Sequence, residues 1–298
     1  MTARQLTVHD PGQLTTIQDR GRPGWAHLGV PRSGALDVAA AALGNRMVGN
    51  DPDAAVLETM LGGLTFTVST AMTVAVSGAT APVTVDGRSH AFGEPVSVRG
   101  GQSVSLGRTE QGLRSYVAVA GGIDVRPVLG SRATDTLSGI GPPPVSAGDE
   151  LPVGEALGQP HGSDVSVIRR LLPPAVLRFR PGPRTDWFTA EAAQTLSRSA
   201  YSVSADSNRI GLRLHGARLG RRQDADLPEE LPSEGVVLGA IQVPASGEPL
   251  VFLNDHPTTG GYPVIGVLLL EDVFSCAQLS PGDEVRFTPA PQAPLAPE

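Results

Sequence analysis

The chain has 298 residues, a formal net charge of -7, 40% hydrophobic, 18% charged and 4% aromatic residues. That length favours two hydrophobic cores over one, and the composition is that of a folded protein. The acidic balance argues against nucleic acid or an anionic membrane as partner, and the aromatics are too sparse for base-stacking platforms.

In chain order, the elements read begin with a helix. Leu36, Ala39, Ala40, Leu43 and Met47 recur at helical spacing, Ser33 or Gly34 can cap the start, and Gly49-Asn50-Asp51-Pro52 stops it. A shorter helix is expected over Asp53–Leu61, with Pro52 in its first turn. Leu64–Val68, Thr73–Ser77, Val83–Val85, Val96–Val98 and Val104–Leu106 read as strands, with Asp86-Gly87 as a tight hairpin turn. Tyr116–Ala120 runs as a strand into Gly121-Gly122.

The Pro/Gly-rich stretch over residues 141–165 is the expected linker, dividing the chain into domains at 1–165 and 166–298. Beyond it, Ala175–Arg180 reads as a strand and Asp186–Leu196 as a helix capped by Thr185. Tyr201–Ser204, Val236–Val243, Leu250–Asn254, Val264–Leu270 and Glu284–Phe287 continue in β style. Gly148-Asp149-Glu150 and Gly282-Asp283-Glu284 recur, either as a trace of duplication or as a common turn into a strand. The class is mainly β with a few short helices.

All 23 basic residues are arginine. Without lysine there is no Schiff base, P-loop lysine, Ser-Lys pair or biotin acceptor on this chain. Cys276 is the single cysteine, so an intrachain disulfide and Cys-based zinc sites are excluded, and the histidines show no metal-ligand spacing. Met1–Asp10 lacks an apolar signal region, and the run Val264–Leu270 is far short of the roughly 20 residues that span a bilayer. A soluble cytoplasmic protein is the expectation.

The densest chemistry lies in Gln18-Asp19-Arg20-Gly21-Arg22 and Val30-Pro31-Arg32-Ser33-Gly34-Ala35-Leu36-Asp37. Arginine forks suit carboxylate or phosphate oxygens, glycines allow close backbone approach, and a helix start favours anions. The segment reads either as an anion site or as a network in which Asp19 and Asp37 neutralise the arginines. Asn254-Asp255-His256-Pro257-Thr258-Thr259-Gly260-Gly261-Tyr262 is a polar, Gly-rich loop after a strand. Asp255 and His256 are adjacent and point apart on an extended chain, which argues against a Ser-His-Asp triad. Arg209 and Arg213 can meet an anion or surface carboxylates. Gln242 inside an apolar strand and Glu58 on the second expected helix need buried partners.

Taken in order, Thr16–Arg22, Val30–Asp37, Val48-Gly49-Asn50, Leu57-Glu58, Val119–Ile123, Arg209–Leu214, Gly239–Pro244 and Thr258–Pro263 resemble one family. It is the carboxyltransferase-domain family that includes allophanate hydrolase subunit 2, KipA-like proteins and the C subunit of 5-oxoprolinase. The resemblance covers roughly residues 5–290 and implies two cyclophilin-like β-barrel domains. It also implies a KipI-like partner (allophanate hydrolase subunit 1 or the B subunit of 5-oxoprolinase). For 5-oxoprolinase it further implies a LamB/YcsF-like third subunit. The implied activity is ATP-dependent opening of 5-oxoproline to glutamate by the complex, with this chain inactive alone. Carboxyl transfer from carboxybiotin to urea and non-enzymatic antagonism of a KipI-like kinase inhibitor are the alternatives. No cofactor is assigned to the chain itself; ATP would be used by the complex, and carboxybiotin would come from another chain.

On these motifs the catalytic candidates are Asp19, Asp37 and Asp255. The substrate-binding candidates are Gln18, Arg20, Arg22, Ser33, Gly34, Asn50, Glu58, Arg209, Gln242, Thr258, Thr259 and Tyr262. The chain departs from the family pattern at Gly139–Pro144, and at Asp255-His256-Pro257, where the family usually reads Asp-Arg-Gln.

Overall fold

The computed structural model describes residues 3–161, 175–222 and 231–291. The chain divides into two compact units, residues 1–171 and 172–298. The first runs β1 (Gln5–Pro11), β2 (Leu14–Gln18), α1 (Val38–Met47), β3 (Val56–Met60), β4 (Leu64–Val68), β5 (Met72–Thr80), β6 (Val83–Val85), β7 (Arg88–His90), β8 (Val96–Val98), β9 (Ser103–Leu106), β10 (Gln111–Val119) and β11 (Glu150–Pro152). These strands form a six-stranded sheet, β11-β1-β4-β9-β6-β7, and a five-stranded sheet, β2-β3-β10-β5-β8.

Alternation decides which side chain goes where. In β4, Leu64, Phe66 and Val68 are buried while Thr65 and Thr67 are half-buried. Those apolar residues join one core with Ile17, Leu57, Val74, Val76, Val117 and Val119. The alternate residues Val56, Ala75, Tyr116 and Ala118 form a second core with Ala40, Ala41 and Met47 of α1. The five-stranded sheet is therefore buried on both faces, and each fully buried Val, Leu or Phe contributes about 1.5–3 kcal/mol. The β6–β7 hairpin turns at Asp86 (φ 47°) and Gly87 (φ 74°), the paired positive φ that matches strand twist.

The second unit runs β12 (Ala175–Pro181), α2 (Ala192–Arg198), β13 (Ala200–Val203), β14 (Gly211–Gly216), β15 (Glu234–Gly235), β16 (Ala240–Gln242), β17 (Leu250–Phe252), β18 (Thr259–Gly260), β19 (Val264–Leu268), α3 (Leu270–Cys276) and β20 (Glu284–Pro289). Seven strands close a barrel, β12-β19-β16-β17-β14-β13-β20, and β15 pairs with β18 in a separate ribbon. β20 completes the closure, running parallel to β12 and antiparallel to β13. No helix among the described residues is long and apolar enough to cross a membrane.

Several expectations are corrected. Val56–Met60 is a strand, not part of a helix over Asp53–Leu61, because it fills the slot between β2 and β10. Glu58 accordingly sits on a strand. α1 is capped by Asp37, whose Oδ1 accepts from Ala40 N at 3.0 Å, rather than by Ser33 or Gly34. Part of the expected linker belongs to the first unit's fold: β11 pairs with β1, and Val145, Leu151 and Val153 join the core; residues 162–165 lie outside the described residues. The helix expected over Asp186–Leu196 splits into a 3-10 turn, Thr185–Trp187, and α2, because Phe188 is extended and buried beside Trp187. The expected strand Val264–Leu270 ends at Leu268, and α3 begins at Leu270 with Glu271 and Asp272 in its first turn, favourable to the helix dipole. Of the run Val236–Val243, Ala240–Gln242 pairs in the barrel; Gly239 precedes it at φ 80°.

The repeated Gly-Asp-Glu turns share more than local shape. Ser146 N donates to Asp149 Oδ2 at 2.8 Å, and Ser280 N to Asp283 Oδ2 at 2.7 Å. Each turn is also tied to a distant strand residue in the same way. Val8 exchanges backbone hydrogen bonds with Gly148 and Asp149, as Val203 does with Gly282 and Asp283.

Candidate functional site

In the first unit, the segment over residues 18–37 folds back on itself through two glycines. A Cβ on Gly21 (φ 83°) would lie 2.4 Å from Arg32 O, and one on Gly34 (φ 94°) would lie 2.7 Å from Gly21 N. Both glycines are therefore required by positive φ and by backbone contact. Arg22 N donates to Arg32 O at 2.7 Å, and Ala35 N to Asp19 O at 2.9 Å, sewing the crossing together. Between them Ser33 is buried at φ 50°, uncommon for a residue with a Cβ, with its hydroxyl on Thr134 O at 2.8 Å.

The α1 side of the five-stranded sheet carries a polar row. Thr16, Glu58, Tyr116 and Ser77 are register neighbours across β2, β3, β10 and β5, and all four are buried. Strand alternation turns them toward the start of α1. Glu58 Oε2 accepts from Leu36 N at 3.0 Å, Tyr116 Oη from Asp37 N at 2.8 Å, and Ser77 Oγ donates to Ala40 O at 2.7 Å. Glu58 also faces Arg114 Nε at 3.7 Å, with both side chains buried. Burial, together with the Glu58 and Asp37 charges, holds the Tyr116 hydroxyl well above its usual pKa, so it stays protonated.

Many of the segment's polar groups are engaged within the fold. The α1 N-terminus takes the protein's own carboxylates, Glu58 and Asp37. Asp19 organises the loop, accepting from Gly21 N at 2.7 Å, Ser131 Oγ at 2.6 Å and Arg132 N at 2.6 Å. Arg22, 1% exposed, donates to the carbonyls of Val128 and Ala133. Gln18 Nε2 bonds Thr16 Oγ1 and Thr134 O, while its buried Oε1 has no partner among the described residues. Arg20 is exposed and pairs with Asp53 at 3.3 Å. Asn50 lies apart, beyond the other end of α1, where it bonds Asn45, Val119 O and Gly121 N.

The second unit holds a separate set. Arg209 forks onto Asp255 at 2.9 and 3.0 Å, with the two side chains 2% and 0% exposed. His256 packs near the Phe252 ring, and its Nδ1 lies 2.6 Å from Pro257 O. Gln242 Nε2 donates to Tyr262 O at 3.0 Å and lies where a Gly260 Cβ would be, at 2.7 Å. Thr258 O accepts from Val236 N, Thr259 is exposed in β18, and β15 beside it is steadied by Arg184, which donates twice to Glu234. Tyr262 is 49% exposed, with the Arg221 guanidinium over its ring at 5.8 Å.

Two arginines outside the candidate set stand out. Arg32 Nε and Arg221 Nε are buried without a hydrogen-bond partner among the described residues. Burial lowers the pKa of both guanidinium groups. A sequence search for loops rich in arginine finds these residues but not which arginine the fold leaves unsatisfied. Among the described residues no three His, Cys, Asp or Glu side chains gather in a group able to hold a metal.

Known proteins fit this architecture. The chain is 38% identical to the C subunit of the 5-oxoprolinase of Escherichia coli (strain K12), over 95% of its own length and 90% of that protein. It is 31% identical to the urea amidolyase of Saccharomyces cerevisiae, over 97% of its own length but 17% of that protein. The crystal structure of the Kluyveromyces lactis urea carboxylase superposes with a TM-score of 0.86 at 31% identity, covering 97% of this chain and 28% of that one. The family model described as carboxyltransferase domain, subdomain A and B, matches residues 28–289, and the chain belongs to that family.

Proposed function

We propose that this chain is the C-type component of an ATP-dependent 5-oxoprolinase, opening 5-oxoproline to glutamate with a KipI-like partner and a LamB/YcsF-like partner. The supporting observation is the 38% identity to a 5-oxoprolinase C subunit over 90% of that protein, against 17% of the urea amidolyase. In this reading the first-unit crossing and the Thr258–Tyr262 loop present substrate-binding groups. Asp19, Asp37 and Asp255 act as positioning residues, since each is already engaged by backbone or guanidinium donors. ATP chemistry is assigned to the complex, because the chain carries no P-loop lysine.

The test is co-purification with the two partner types and assay of ATP-dependent glutamate release. The complex turns over, and the single chain does not. Turnover by the chain alone, or none by a correctly assembled complex, sinks the reading.

A second reading is carboxyl transfer from carboxybiotin, favoured by the match to the carboxyltransferase family model and to the urea amidolyase. It requires a biotinylated partner chain, and urea-dependent consumption of its carboxybiotin is the measurement that selects it.

A further inference from the structure

Arg32 differs from the other two arginines of its loop. Arg20 is exposed beside Asp53, and Arg22 is buried against backbone carbonyls. Arg32 is half-buried, and its Nε has no hydrogen-bond partner among the described residues. Lost hydration is the cause of its lowered pKa, and no carboxylate among the described residues offsets it. A desolvated guanidinium N–H without an acceptor is costly. Its backbone is nonetheless fixed at its carbonyl and at the next residue: Arg32 O holds Arg22 N at 2.7 Å, and Ser33, at φ 50°, donates its hydroxyl to Thr134 O. Strain and an unsatisfied cation at one point are what a folded chain retains when a ligand completes them.

We propose that Arg32 is an anion-binding residue of the first unit and that its ligand is a carboxylate. A single guanidinium fork matches the two oxygens and the single charge of a carboxylate. A phosphate dianion calls for further donors or a second cation. The neighbouring cations Arg20 and Arg22 already have acceptors, and the α1 N-terminus is filled by Glu58 and Asp37. The site lies within one unit and stands whichever reaction the assembled complex performs.

The experiment is arginine footprinting of the purified chain with phenylglyoxal, read by peptide mass spectrometry, with acetate, inorganic phosphate or neutral 2-pyrrolidone as competitor. Arg32 is expected to react faster than Arg22 and Arg209, and acetate is expected to slow it more than either other competitor. Protection by 2-pyrrolidone equal to that by acetate, or stronger protection by phosphate, overturns the carboxylate assignment. No protection at all overturns the site.

Substitution gives an independent readout. Arg32→Met is expected to raise Tm by about 2 °C, as relief of a desolvated charge should, and to weaken 5-oxoproline binding about tenfold. A fall in Tm would mark Arg32 as a structural residue and overturn the proposal. Should Arg32→Met fail to fold, Arg32→Lys keeps the charge and removes the fork. It is expected to keep Tm and lose binding, and full binding by Arg32→Lys also overturns the proposal. Protection of Arg32 by acetate stands even where the complex leaves 5-oxoproline untouched, so this test and that of the reaction fail separately.

Discussion

The loop over residues 18–37 in the first unit and the loop over residues 254–262 in the second each depend on a fully buried arginine, but they satisfy it differently. Arg22 is held by the carbonyl oxygens of Val128 and Ala133, and Arg209 by both oxygens of Asp255. In the second unit the counter-charge is buried with the cation, so removing either side chain strands the other in a place water does not reach. In the first, removing the guanidinium leaves the neutral, buried Ala133 carbonyl short of a donor, while Val128 O keeps Ser131 N. Each unit also has a second arginine, Arg32 or Arg221, whose buried Nε has no partner among the described residues. The same residue type is thus a satisfied anchor or keeps an unsatisfied nitrogen, depending on what the fold brings to it.

The largest expected effect breaks the second anchor. Arg209→Ala lowers unfolding free energy by about 3–5 kcal/mol, the cost of leaving one member of a buried ion pair. Urea denaturation measures it. The double variant Arg209→Met with Asp255→Leu recovers most of that loss, because both charges leave together. A double variant as unstable as the single would show that the pair does not act as a unit.

Breaking the first anchor costs less. Arg22→Ala is expected to lose about 1–3 kcal/mol, the penalty for leaving the buried Ala133 carbonyl unsatisfied. Any loss of activity in the assembled complex should follow this loss of stability. An unchanged urea midpoint with lost turnover would instead place Arg22 on the ligand. At the helix start, Asp37→Ala is expected to lose about 1 kcal/mol, the usual value of an N-cap. Asp37→Asn should restore most of it, and a failure to do so would mean that the charge rather than the cap matters.

The parts of the fold that were legible are those set by neighbours in sequence. Alternation in Leu64–Val68 and the Asp86-Gly87 turn need only local chemistry, and both stand as read. Asp53–Leu61 fails because its strand state is imposed by β2 and β10, which lie far away in sequence. The strand read over Val264–Leu270 fails at its end for a related reason: the apolar run from Val264 continues past the end of the barrel strand without a break signal before Glu271.

The candidate site is similar. The glycine and arginine content drew attention to residues 18–37, and the second reading offered there, a network of Asp19 and Asp37 with the loop, matches much of the geometry. Yet the roles within it depend on residues 128–134, which supply the carbonyls that claim Arg22 and the backbone that fixes Gln18 and Ser33. No spacing rule links residue 22 to residue 133, so the contrast between Arg22 and Arg32 emerges only when the chain is folded.

The smallest expected effect concerns pH, and it contrasts the barrel with the polar row beneath α1. Tyr201 is 1% exposed and meets the Phe287 ring at 5.6 Å; burial pushes its hydroxyl up to about 12. The Tyr116 hydroxyl is raised too, by burial first and then by Glu58 and Asp37. A raised pKa means that the folded state holds its proton more tightly than the unfolded chain. That contribution is complete below the ordinary tyrosine value near 10 and is lost as pH rises from about 10 to about 12. Tyr201→Phe keeps the ring and removes the titration. Its urea midpoint should match the parent's at about pH 8 and exceed it at about pH 11, whereas the parent loses stability over that interval. Tyr116→Phe should flatten the alkaline loss in the same direction but start lower at neutral pH, because Asp37 N would lose its acceptor. Parallel pH profiles for the parent and Tyr201→Phe would show that Tyr201 ionises as freely in the folded barrel as in the unfolded chain.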